Sequence, residues 1–146
     1  MIAVMTSSAP ATGTGGCLCG GVRYETHGAL RNVVLCHCSR CRRTHGHVAA
    51  YTECATSELT ITEDTWLRWY DADERQRGFC GRCGASIFWR ADEDPDTISI
   101  AAGTLDEPTG LRTVAQIYVE SRGDYYELSS EGERHPTTRE YGRPSG

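Results

Sequence analysis

Lysine is absent from this sequence: all 15 basic residues are arginine, and they form no basic stripe interleaved with aromatics. With a net charge of −5 at pH 7, the chain offers no footing for nucleic acid or for an anionic membrane surface. No apolar run approaches the ~20 residues of a bilayer span. The first basic residue is Arg23, and the apolar stretch from Met1 to Met5 is far too short for the core of a secretory signal. These absences place the chain in the cytoplasm, with neither a nucleic-acid nor a membrane partner expected. The all-arginine basic set points in addition to a GC-rich genome.

Cytosolic thiols are kept reduced, so the eight cysteines read as metal ligands sooner than as disulfides. A chain of 146 residues also needs no covalent staple, since one domain of this size buries roughly two-thirds of its unfolded surface. Residues 1–14 and 129–146 turn to small, polar and charged residues and are expected to be disordered tails around one domain at 15–128.

Within that domain apolar and polar residues alternate with period two. Strands are predicted around Val22 and Tyr24 and over residues 32–36, 47–54, 58–62, 65–70, 86–89, 97–102, 115–121 and 124–128. A polar turn falls at 71–74 and a short helical turn after Cys41. The expected class is mainly β, many short strands without an internal repeat.

Seven cysteines are clustered: Cys17 and Cys19; Cys36, Cys38 and Cys41; Cys80 and Cys83, the last pair followed by Gly84. A C-x-x-C-G turn converges two thiolates on one ion, and C-x-C on extended chain sends both side chains to the same face. Pairing Cys17 and Cys19 with Cys80 and Cys83 gives four thiolates, the closed tetrahedral set of a structural zinc. Cys36, Cys38 and Cys41 supply three thiolates and nothing obvious for a fourth, the pattern of a catalytic zinc with an open position.

Two zinc ions per chain are therefore expected. Three thiolates weaken zinc as a Lewis acid, which argues against hydrolysis and favours a substrate thiol bound as thiolate. Arg40, Arg42 and Arg43 lie beside the triad, placed to attract a thiol that carries carboxylates. His37, between two ligands, is a candidate for proton transfer, and His45 and His47 for a fourth ligand or an acid–base role. Cys54 reads as a buried free thiol. The competing reading is a non-catalytic zinc scaffold that binds a protein partner. Iron is disfavoured because the ferredoxin spacings are missing.

Taken in order, GGCLCGGVRYE, LCHCSRCRRTHG, GFCGRCGASIF, ISIAAGTLDEP and IYVESRGDYYEL resemble the glutathione-dependent formaldehyde-activating enzyme family, also called the centromere protein V/Gfa family. The resemblance runs from Gly15 to about Leu128. It implies an Mss4-like (β-tent) fold of short, coiled antiparallel sheets pinned by zinc, with the same division of the cysteines. It also implies carbon–sulfur lyase-type chemistry on the adduct of a small thiol, such as glutathione, and an aldehyde or similar electrophile. Gln116 stands where many relatives of that family have His.

Overall fold

A computed structural model describes residues 11–137; the outer parts of both expected tails lie outside the described residues. The period-two pattern is realised as eleven strands: β1 (Gly13–Gly16), β2 (Arg23–Thr26), β3 (Val33–Cys36), β4 (Ala49–Ala55), β5 (Leu59–Glu63), β6 (Leu67–Ala72), β7 (Arg75–Cys80), β8 (Ser86–Ala91), β9 (Asp94–Ala101), β10 (Thr113–Ile117) and β11 (Glu133–His135). Among the described residues one α-helix, α1 (Ser39–His45), interrupts them. It holds Cys41 rather than following it. Its end is set by Gly46, whose φ of 77° allows the cap N–H to reach the Arg42 carbonyl.

The strands form a three-stranded sheet, β1-β2-β5, and an eight-stranded sheet, β11-β10-β3-β4-β9-β8-β7-β6. Between them lies a core with Tyr24 from the small sheet, Val22 from the loop just before β2, and Ile87, Phe88, Ile98 and Ile100 from the large sheet. Burying side chains of this size is worth roughly 1.5–3 kcal/mol each. A second apolar cluster, with Val34, Tyr51, Ala115 and Ile117, surrounds Cys36 and Cys41. The class is mainly β, and no helix among the described residues is long and apolar enough to cross a membrane.

Four details depart from the sequence reading. Antiparallel ladders dominate, but β10 runs parallel to both β3 and β11, because long connections return the chain to the same end of the sheet. β7 was hidden by its arginines: Arg75 and Arg77 share one strand face, with Gly78 between them and Cys80 closely covered by Trp69 and Phe88. Residues 124–128 form no strand, since Tyr125 and Tyr126 pack on His47 with ring centroids 5.6 and 4.7 Å away instead of pairing in a ladder. The expected C-terminal tail contains β11. An edge strand needs backbone partners more than buried side chains, and β10 supplies them.

Candidate metal centres

The first cysteine cluster joins the tips of two hairpins, one from each sheet. Cys17 and Cys19 sit in the β1–β2 loop, closed by a Cys17 N–H to Val22 carbonyl bond of 3.0 Å. Cys80 ends β7 and Cys83 lies in the turn to β8, where Gly84 at φ 82° donates its N–H to the Cys80 carbonyl. Their sulfurs all lie within 4.8 Å of one another. Cys19 Sγ is 3.7 Å from both Cys17 Sγ and Cys80 Sγ. A tetrahedron of sulfurs ~2.3 Å from a central zinc has edges of about 3.8 Å, so the spacing fits such an ion.

Backbone N–H groups point at two of these sulfurs as well. Val22 N–H points at Cys17 Sγ, and the N–H groups of Arg82 and Cys83 point at Cys80 Sγ, at 3.3–3.4 Å. The N–H groups of Ala85 and Cys19 hold the Cys83 thiol down to about 6.

The second cluster comprises Cys36 at the end of β3, Cys38 as the N-cap of α1, and Cys41 in its first turn. Their sulfurs too lie within 4.8 Å of one another, and no fourth His, Cys, Asp or Glu joins them among the described residues. Three crowded sulfurs cannot all ionise without a cation. Hydrogen bonds from Cys36 and Cys41 pull Cys38 down to about 2, while Cys38, Cys41 and burial drive Cys36 upward. The donor set thus suits a thiophilic cation with a position left for another ligand.

The triad opens on a cavity of about 430 Å³. Of the three arginines expected to serve it, only Arg40 lines this cavity; Arg43 lines an adjoining one and Arg42 neither. Helical geometry explains this, since positions 40 and 43 share a face of α1 and 42 does not. Arg31, Arg75 and Arg77 take the places that sequence reasoning assigned to Arg42 and Arg43. The R-x-R alternation at 75 and 77 was the available signal.

His37 is 2% exposed and both its ring nitrogens are engaged. Nε2 lies 2.9 Å from the Gln116 amide oxygen and Nδ1 2.6 Å from the Tyr126 hydroxyl. Because the Gln116 oxygen accepts, Nε2 carries the proton and Tyr126 donates to Nδ1. The expected proton-transfer role does not fit this arrangement; the imidazole locks the backbone between two ligands. The sequence marked Gln116 only as a departure from the family's usual His; its amide nitrogen also donates to the carbonyls of Ser129 and Glu131.

His45 and His47 stay outside the sulfur cluster. His45 Nε2 lies 2.8 Å from the Tyr51 hydroxyl and His47 Nδ1 the same distance from that of Tyr125. Cys54 is buried in the main core, free, and pushed up to about 11 by burial.

A protein of Rhodobacter sphaeroides, solved as a structural-genomics target, is similar to this chain with a TM-score of 0.55 and 25% identity, over 68% of this chain and 97% of that one. The family model of the glutathione-dependent formaldehyde-activating enzyme matches residues 12–121, a span that includes all seven clustered cysteines. The chain belongs to the glutathione-dependent formaldehyde-activating enzyme family.

Proposed function

We propose that the protein is a zinc enzyme that joins a small thiol of the glutathione type to an aldehyde, or parts the adduct in the lyase direction. Cys17, Cys19, Cys80 and Cys83 hold the structural ion, and Cys36, Cys38 and Cys41 the catalytic one. The observation that carries this reading is a three-sulfur cluster, without a fourth side-chain ligand among the described residues, opening on an arginine-rimmed cavity. When bound there, zinc would keep a substrate sulfur in its nucleophilic thiolate form.

The residues of the chain supply the rest. Arg31, Arg40, Arg75 and Arg77 are placed to bind the carboxylates of the thiol and to orient it. The carbonyl oxygen must gain a proton, and the Tyr51 hydroxyl on the cavity wall is the donor we assign to it. The Tyr51 hydroxyl also lies 2.8 Å from His45 Nε2, which can return the proton it gives up. Burial, reinforced by Arg77, lowers His45 and leaves it neutral and able to exchange that proton.

The test is thiol-dependent consumption of formaldehyde, read beside the absorption of cobalt-substituted protein. Adding glutathione shifts the cobalt spectrum, and Cys36→Ser abolishes both the shift and turnover. A spectrum indifferent to every thiol would leave a non-catalytic zinc scaffold in its place.

A further inference from the structure

A second cavity, of about 450 Å³, adjoins the first and shares Arg40, Tyr51, Arg75 and Arg77 with it as a common wall. None of the clustered cysteines lines it. Its own surface is aromatic and cationic, with Tyr70, Phe79 and Phe88 beside Arg43. The only carboxylate among its lining residues, Asp73, is already engaged by Arg40 at 3.0 Å.

On the common wall, Arg77 Nη1 is buried and has no hydrogen-bond partner among the described residues. A buried guanidinium nitrogen left without an acceptor is unfavourable, and a ligand oxygen passing along this wall would complete it. Size adds a second argument. Cavities of ~300–1,000 Å³ take whole small-molecule ligands, so the first cavity suffices for a tripeptide thiol. A one-carbon aldehyde at the triad would leave the second without a use.

We propose that the second cavity binds the body of the electrophile, which is an aldehyde carrying an aromatic ring and a carboxylate. This rests on the reading of the triad as a thiol–aldehyde centre. The ring lies against Tyr70 and Phe79, the carboxylate meets Arg43, and the carbonyl is directed past Arg77 toward the first cavity. There the thiol sulfur bonds to the carbonyl carbon, the C=O π bond breaks, and its oxygen takes the proton that the thiol gave up. Thiol and aldehyde thus yield one hemithioacetal, with no oxidant or reductant required.

The test uses the full zinc-loaded protein and separates binding from turnover. The unreactive alcohol para-hydroxymethylbenzoate is titrated by calorimetry without thiol, against wild type and Tyr70→Ala, with benzyl alcohol as the uncharged comparison. Tyr70 is 62% exposed, so its loss leaves the fold intact. The benzoate binds at millimolar concentration or below, benzyl alcohol binds more weakly, and Tyr70→Ala weakens the benzoate about tenfold. Failure of the benzoate to bind, or equal binding to both proteins, overturns the second subsite. Turnover of para-carboxybenzaldehyde and formaldehyde with glutathione is measured alongside. Benzoate binding without turnover of either aldehyde supports the subsite and overturns the thiol–aldehyde reading. Formaldehyde turnover without benzoate binding does the reverse.

Discussion

Gln116 is wholly buried on β10 and joins three parts of the chain through one amide: His37 between the triad cysteines, and the carbonyls of Ser129 and Glu131. Gln116→Ala would strand the His37 N–H in the core, where an unsatisfied group costs ~1–3 kcal/mol. We expect that loss in chemical denaturation, together with weaker cobalt binding at the triad and an unchanged first centre. The cysteines divide in the same manner. Cys83→Ser should lower Tm by about 10 °C or more, since a ligand that bridges two sheets contributes folding energy. Cys38→Ser should lower it much less, its cluster closing only a short loop. The reverse order, in differential scanning calorimetry of the two variants, would exchange the roles of the centres.

The Arg23–Asp106 pair gives a pH test. Hydrogen bonds from Arg23 and Thr14 depress the Asp106 carboxyl below its ordinary value. A carboxyl lowered on folding stabilises above its unfolded pKa and loses that contribution as pH falls through the folded one. Asp106→Asn should therefore lower Tm slightly at neutral pH and not at all in strong acid. Both side chains are well exposed, so the effect is small and fades with salt.

At the scale of elements, β11 is the piece whose sequence least announces it. Gly132 precedes it at φ 71°, and a Cβ there would meet the backbone of Val114 and Ala115. Gly132→Ala combines a left-handed backbone, costing roughly 1–2 kcal/mol for a non-glycine residue, with a clash against β10. We predict faster amide exchange at residues 133–135 with protection in β4 and β9 unchanged. Equal protection in both proteins would show that β11 docks without Gly132. Helix α1 reads from local chemistry instead: Cys38 accepts the Cys41 N–H at 3.3 Å, and Gly46 closes the other end.

Over the whole molecule the two centres differ in what they connect. The first ties residues 61 positions apart, Cys19 and Cys80, and with them the two sheets; the second lies within six residues where β3 runs into α1. Purified protein should carry up to two zinc ions per chain, one removed readily by chelator with the fold retained, the other only with unfolding. Elemental analysis across a chelator titration, followed by circular dichroism, tests this. A single ion per chain, or iron, would contradict it.

The sequence by itself determined the class, most of the short strands and the grouping of the sulfurs. Those depend on spacing along the chain: i and i+2 on a strand face, C-x-x-C around a turn, glycine at a left-handed position. It also singled out Cys54 as a lone thiol. What it left open depends on residues far apart. That Arg75 and Arg77 face the triad while Arg42 does not follows from pairing β7 beside β8 and from the rotation of α1. That His37 is held by Gln116 and Tyr126 follows from β10 lying parallel to β3. Local spacing specifies which atoms can share one ion. Only long-range packing decides which side chains surround it, because loop closure and sheet register bring together groups that no local pattern relates.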